Sequence, residues 1–560
     1  METDHGSPCQ HEYLGGTLKG APLLAIMGAA LAMVIPFCFL GIPSGHDFDF
    51  HFNSWIEVLH QWRQGIVYPR WAALAHYGFG EARFIFYPPA SWVLGAALGA
   101  VLPWKVVPGV YVWLALTLSG CSMFLLVRQW LNRPDSIFAA ALYAANPYCL
   151  VIIYWRSAFA ELLAGALLPL LLLSMLKMEE YSRKAIIPLA LVIAGAALTN
   201  VPASVMVDYS VGLLAVVFAV QRRSPRILLY AAPAGLLGAA LASFYLLPAF
   251  YEERWVNISQ VLSAGVRPQD NFFFTTTADP DHNRFNQLLS LVGTVELVIL
   301  GIAAFFSYKH GRERRDIWWP LLTWGGTSAF LMLSISAIFW VHLPLLRFLQ
   351  FPWRWLLCLN VALVVLLTLA WKQWMWRVSA VVFMLTVLVY GWHRIQAPWW
   401  DNARDIADMA YQQQSGAGYV GTDEYAPASA DPYDIKLDAP RVTADTGTLL
   451  RVQVRQWSPE KKIFVAEASR PCKLVLRLFN YPAWLAEVNG QKVETETQDN
   501  TGQMLIPVKA GESLIQIRFI RTWDRTVGGV VSLVSALGLL LWWFFDLSFR
   551  GAKRRQSRSG

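Results

Sequence analysis

Residues 21–42 read APLLAIMGAALAMVIPFCFLGI, and this stretch decides the class of the protein. It carries no charge, and as a helix rising about 1.5 Å per residue it is long enough for the roughly 30 Å hydrocarbon core of a bilayer. No small-residue cleavage pattern follows it, so a retained first membrane helix is expected, with the N-terminus still attached. Further apolar runs of spanning length start near Pro108, Ser136, Ala160, Ile186, Pro202, Ile227, Leu288, Ile317, Trp355, Met375 and Val527. Of the 560 residues 56% are hydrophobic and only 15% charged, which overrides the several soluble domains that length alone would suggest. A soluble enzyme, a fibre and a disordered chain are excluded. The 26 Trp, 20 Tyr, 31 Phe and 30 Pro point to loop-bearing or broken segments rather than a plain Leu-rich bundle.

The net charge of +8 follows topology. The run Ala90 to Leu102, bounded by Pro88, Pro89 and Pro103, is shorter than a span requires. If it does not cross, each alternate connection is basic: Arg128 and Arg133; Lys177, Arg183 and Lys184; Arg222, Arg223 and Arg226; Lys309, Arg312, Arg314 and Arg315; Lys372 and Arg377; and the tail Arg550, Lys553, Arg554 and Arg555. The positive-inside rule then gives about twelve transmembrane helices with both termini cytoplasmic, and no nucleic-acid partner is needed to explain the charge. The expected divisions are a cytoplasmic leader 1–20, a transmembrane domain 21–395 with a first external loop 43–89, an external β-sandwich 396–524, a final helix 525–547 and a basic cytoplasmic tail 548–560. Alternation in Leu450–Val454, Lys473–Arg477 and Leu514–Phe519 predicts strands, and Asn489-Gly490 predicts a type I′ hairpin. Cys472 is the one cysteine of the long polar segment, so no internal disulfide is expected there.

Directly beyond the first helix comes Gly45-His46-Asp47-Phe48-Asp49-Phe50-His51. Alternation in an extended chain puts Asp47, Asp49 and His51 on one face, whereas helical spacing pairs Asp47 with His51. Both arrangements set an acid beside a base. A carboxylate among aromatic rings at a membrane surface suits a general base, and paired carboxylates with histidine also suit a divalent cation. The plain alternative is a polar cap on a helix, although an acid near hydrocarbon is costly enough to need a reason. In Tyr154-Trp-Arg156-Ser-Ala-Phe-Ala-Glu161 the arginine is either a phosphate ligand steadied by Glu161 or simply its ion-pair partner. Arg347-Phe-Leu-Gln-Phe-Pro-Trp353-Arg354 sets two arginines among aromatics, suited to an anionic headgroup. The rings of Trp55, Trp62, Trp71 and Phe84–Tyr87 read as an interfacial belt, and Glu252, Glu253 and Arg254 as solvated loop charges. Phosphate-loop, dinucleotide-fold, CxxC and HExxH motifs are absent, and no histidine lies between Ile395 and Val527.

With Tyr68-Pro-Arg70, Phe86-Tyr-Pro-Pro89 and Gln350-Phe-Pro-Trp-Arg354 added to these motifs, the chain resembles bacterial multi-pass proteins described as 6-pyruvoyl-tetrahydropterin-synthase-related membrane proteins. It is similar to YfhO-like and other GT-C glycosyltransferases. The resemblance covers nearly the whole chain, through Gly421-Thr-Asp-Glu424-Tyr and Phe479-Asn-Tyr-Pro-Ala-Trp484. It implies a polytopic α-helical GT-C-like fold, a polyprenyl-phosphate-linked sugar donor and an essential acid in the first external loop, here Asp47 or Asp49. The histidines His46 and His51 depart from the better-known members, so Mg2+ or Mn2+ on Asp47 and Asp49, or no metal, both stay open. The pterin part of the description is discounted, because the soluble pterin enzyme needs a histidine zinc site that the polar domain lacks.

The expectation is a glycosyltransferase on the outer face of the cytoplasmic membrane, passing a sugar to a glycan, lipid or protein acceptor of the cell envelope. Asp47, Asp49 and His51 are its expected catalytic groups, and His46, Tyr87, Arg156, Glu161, Arg347, Trp353 and Arg354 its substrate-binding groups. One rival is a transporter or flippase for a lipid-linked saccharide, which calls for similar halves and correspondingly broken helices, neither legible in the sequence. Another is a non-enzymatic glycan-assembly protein that binds through its β-domain.

Overall fold

The computed structural model describes residues 18–181, 185–310 and 315–556. Most of the leader, Arg183, Lys184, Arg312, Arg314 and residues 557–560 of the tail lie outside the described residues. Among the described residues nine helices are long and apolar enough to cross a membrane: Ala21–Leu40, Val107–Val127, Arg133–Arg156, Phe159–Met178, Val201–Arg222, Pro280–Lys309, Pro352–Ala370, Trp374–Arg394 and Trp523–Trp542. Two bent pairs, Arg226–Leu241 with Ser243–Trp255 at 77° and Asp316–Leu331 with Ser334–His342 at 91°, raise the number to eleven. The protein is a multi-pass membrane protein.

The twelfth expected span is the shorter helix Ile186–Thr199, and the run 90–102 forms another short helix, Pro89–Val101. The latter packs between the Phe48–Arg63 helix of the first loop and Val107–Val127. Starts are set by local chemistry: Asn132, Asn146 and Asn200 each accept a hydrogen bond from the backbone N–H three residues on, ahead of a proline in the first turn. Between the runs that start near Ile227 and Leu288, helix continues through Ala249 to Glu252 and begins again at Pro280. The broken helices that were not legible in sequence are present as the two bent pairs.

The polar segment after Gln396 is not β alone. Ile42–Pro43 pairs antiparallel with Trp400–Asp401, and an amphipathic helix, Ala403–Gln414, then packs on Phe48–Arg63. Asn402 and Asp405 close a reciprocal capping box at its start. Asn402→Ala is therefore expected to cost about 1 kcal/mol, read as a small fall in the thermal midpoint of the detergent-solubilised protein; an unchanged midpoint would show that tertiary packing alone holds this helix.

The strands are β1 Val442–Ala444, β2 Leu450–Ser458, β3 Lys461–Ala468, β4 Cys472–Phe479, β5 Trp484–Val488, β6 Gln491–Val493, β7 Glu496–Thr497, β8 Gln503–Val508 and β9 Gly511–Phe519. They form two antiparallel sheets, β1-β4-β8-β7 and β2-β3-β9-β5-β6, around a shared core that includes Phe464, Leu474, Leu476, Ile506, Ile515 and Ile517. Between β5 and β6, Asn489 and Gly490 take φ of 51° and 81°, the double positive φ of a type I′ turn.

This domain is locked to the membrane part. Trp71 of the first loop is fully buried against Tyr481, Trp484 and Phe519. Gly80 (φ 79°) lies so close that a Cβ there would come within 2.1 Å of the Trp71 indole nitrogen. Glu252, expected as a solvated charge, is instead fully buried, bound by Nε and Nη2 of Arg525 at 2.7 Å each and by the Tyr481 hydroxyl at 2.7 Å. Its partners come from β-domain and final helix, a convergence that local sequence does not signal.

Candidate functional site

The site forms where the span Arg133–Arg156 breaks. Its last turn, Ile152–Arg156, is π-helical, and Ser157 takes φ 50° and ψ 33°. This left-handed conformation costs a non-glycine residue about 1–2 kcal/mol. The surroundings offset it: the Ser157 hydroxyl donates to Pro43 O at 2.8 Å and accepts the Gly45 N–H at 3.0 Å, while the Asp47 N–H donates to Arg156 O at 2.8 Å. Position 45 has to be glycine, because a Cβ would stand 2.4 Å from Trp155 O. These contacts stitch the first loop onto the helix break and bring Asp47 beside Arg156.

Arg156 donates from Nη2 to Asp47 Oδ2 at 2.9 Å and from Nη1 to Glu161 Oε2 at 3.1 Å. Arg354, from the distant Pro352–Ala370 span, donates through Nε to the same Glu161 oxygen at 3.1 Å and through Nη1 to Leu349 O at 2.6 Å. The Tyr148 hydroxyl donates to Glu161 Oε1 at 2.6 Å. The loop leading into that span is also strained, with Gln350 at φ 63° and its side-chain oxygen 3.3 Å from Arg354 Nη1. Phe351 and Trp353 stack at 4.7 Å, with Arg156 4.8 Å from the Trp353 ring and Arg354 4.7 Å from that of Phe351. Such planar faces hold guanidinium groups while leaving N–H edges for anions.

Two guanidinium groups thus face two carboxylates of unequal access. The Glu161 side chain is 1% exposed and Asp47 35%, so Asp47 is the acid an incoming molecule reaches. Among the described residues only its Oδ2 is engaged. Burial alone would raise the Asp47 carboxyl, but the charges of Arg156 and, less strongly, Arg354 hold it below its ordinary value. It is a carboxylate at neutral pH.

The helix Phe48–Arg63 decides between the two geometries read from sequence: the His51 N–H donates to Asp47 O at 3.1 Å, one helical turn on. His51 is buried, pushed down to about 4 by that burial, and lies 3.4 Å from Ser91 Oγ. It is a neutral neighbour of Asp47. Tyr87, packed 5.7 Å from the His51 ring, feels the charges of both Asp47 and Arg354, and its hydroxyl has no hydrogen-bond partner among the described residues. His46 is exposed beside Phe285 and Trp399. Asp49 is exposed, and the carboxylate it couples to is Asp401 rather than Asp47. Arg347 is exposed and lies over its own neighbour Phe348, apart from the cluster. With Asp47 engaged by Arg156 and Asp49 turned elsewhere, the pair does not fit a divalent cation, and no group of three or more His, Cys, Asp or Glu that could hold one occurs among the described residues.

Sequence reading missed a second buried network under the same helix. Glu57 accepts from the Tyr419 hydroxyl at 2.5 Å and the Leu74 N–H at 3.1 Å. Glu81 takes Arg83 at 2.5 Å, His76 at 3.0 Å and the Thr422 N–H at 2.7 Å. Thr422 lies in the noted motif Gly421–Tyr425, but nothing local shows that it serves loop one. Burial raises Glu57 from 4.5 to about 7. Because the folded state holds that proton more tightly, its contribution is full below about pH 4.5 and fades as pH rises through 7. The thermal midpoint is expected to fall over that window and to fall less in Glu57→Gln; equal slopes in both proteins would contradict the assignment.

Residues 84–396, more than half of the chain, match the family model described as "6-pyruvoyl-tetrahydropterin synthase related domain; membrane protein". The match includes Tyr87, Arg156, Glu161, Trp353 and Arg354, and ends short of Asp47 and of the β-domain. No curated protein matches the chain.

Proposed function

We propose, from the premise that the chain belongs to the 6-pyruvoyl-tetrahydropterin synthase related family of membrane proteins, that it is a GT-C type glycosyltransferase. The donor is a sugar on a polyprenyl phosphate, the acceptor a hydroxyl of an envelope glycan, lipid or protein, and the site lies on the outer face of the cytoplasmic membrane. One observation carries this reading: a reachable carboxylate, Asp47, shares a cluster with two guanidinium groups delivered by separate spans. Transfer from a phosphate-linked donor needs a base for the acceptor and positive charge for the leaving phosphate.

In this mechanism the acceptor hydroxyl gives its proton to the free oxygen of Asp47 as it attacks the anomeric carbon. Arg354 and Arg156 take the charge that grows on the departing phosphate. The two events are coupled, because protonating Asp47 weakens its hold on Arg156 and frees an N–H edge for phosphate. Tyr87 offers a hydroxyl donor at the same place, and a single displacement inverts the anomeric centre. Sugar transfer from a labelled polyprenyl-phosphate donor in proteoliposomes tests the reading, with a covalent glycosylated product as the expected result.

The two broken spans favour a second reading, translocation of a lipid-linked saccharide, since discontinuous helices mark the binding sites of many transporters. Movement of labelled donor between leaflets with no covalent product would favour that reading and end the first.

A further inference from the structure

A second basic site lies away from this cluster, at a cavity of about 360 Å³ where four parts of the chain meet. Its walls include Tyr68 and Arg70 of the first loop, Phe244 of a bent span, Glu460 between β2 and β3, and Arg521 and Arg525 at the start of the final helix. The mechanism above uses none of them, although Tyr68-Pro-Arg70 stands out in the sequence.

Three features point to an anion. Arg70 lies 4.3 Å over the Tyr68 ring and donates from Nη2 to Phe244 O at 3.3 Å, but its Nη1 is buried without a partner among the described residues. The Tyr68 hydroxyl is buried in the same condition. Buried donors are nearly always paired, so two unpaired ones lining one cavity call for an acceptor. The charges are also unbalanced. Of the charged groups that line the cavity three are cations, Arg70, Arg521 and Arg525, and one is a carboxylate, Glu460; Glu252, outside the lining, is committed to Arg525. Burial lowers the Arg70 guanidinium most; the charges of Arg525 and Arg521 act in the same direction, against Tyr68 and Glu252. Arg521 is exposed, with Nη2 3.2 Å from Arg525 O, and the outer face of the adjoining helix shows Trp523, Val527 and Val530.

We propose that this pocket binds a phosphate group, carried by a membrane lipid or by a free phosphate compound, with Arg70 and Arg521 as ligands and the Tyr68 hydroxyl as a further donor. Guanidinium forks suit phosphate oxygens, and a span end places them at headgroup level.

The test uses the full chain in nanodiscs of phosphatidylcholine alone, titrated with inorganic phosphate, and in nanodiscs that also contain phosphatidylglycerol, with retained lipid read by native mass spectrometry. A free ligand predicts a rise in thermal midpoint with inorganic phosphate. A lipid ligand predicts retained phosphatidylglycerol and no such rise. In either case Arg521→Gln is expected to weaken binding about tenfold or more, Arg521→Lys to restore part of it, and Arg254→Gln, an exposed arginine outside the pocket, to change nothing. Because Arg521 is exposed, its variant decides the matter should Arg70→Gln fail to fold. Absence of both signals in the unsubstituted protein, or equal loss in Arg254→Gln and Arg521→Gln, would overturn the proposal.

Discussion

Asp47→Asn is expected to lower sugar transfer by a factor of about 100 to 10,000 while the protein stays folded. The asparagine keeps the shape of the side chain, and its amide oxygen can still accept from Arg156, but it cannot take a proton from the acceptor. The structural cost is small, because the pair is partly exposed on the Asp47 side and Arg156 keeps Glu161. Asp49→Asn supplies the contrast. That carboxylate lies outside the cluster and couples to Asp401, so its variant is expected to remain within a few-fold of the unsubstituted rate. Near-normal turnover by both variants would remove the base from the mechanism.

Glu161→Ala is expected to show the largest loss of stability at the site, about 3–5 kcal/mol. Glu161 is buried and holds Arg156, Arg354 and the Tyr148 hydroxyl together. Its removal leaves two buried guanidinium groups with Asp47 as their nearest remaining acid, and a tyrosine donor without an acceptor. A denaturation midpoint in detergent, compared with Tyr148→Phe and the double variant, measures the effect. The double variant should lose less than the sum of the singles, since both act through one carboxylate. A loss below about 1 kcal/mol would mean that the cluster is solvated and the arrangement incidental.

How far these features could be read from sequence depends on the range of the interactions that make them. Apolar runs announce themselves residue by residue, so Ala21–Leu40 and Trp374–Arg394 were legible. So were the strands around Leu450, Lys473 and Leu514 and the Asn489-Gly490 turn, which follow from alternation and backbone preference. The bends after Leu241 and Leu331 were not: each side is an ordinary apolar helix, and the angle between them is a property of packing. The helix Ala403–Gln414 is masked by its polar composition, although Asn402 and Asp405 spell a capping signal.

At the site, the residue types of Asp47, Arg156, Glu161 and Arg354 were conspicuous because charges beside apolar runs are costly, and the structure brings these four together. Sequence could not separate Asp49 from Asp47, because one turn of helix sends neighbouring side chains in different directions. Nor could it tell Arg354 from Arg347, which differ in burial rather than chemistry. Tyr148 carried no signal, and Ser157 and Gln350 stood out only as members of their motifs, since their own roles rest on a left-handed backbone.

The most direct measurement of the central claim is a structure of the full chain with a polyprenyl phosphate analogue bound in nanodiscs. Phosphate oxygens are expected within hydrogen-bond reach of Arg354 and Arg156, with Asp47 facing the position where the sugar would be attached. A phosphate held only by Arg70 and Arg521, or by any other group while the Asp47–Arg156–Glu161–Arg354 cluster stays untouched, would contradict it.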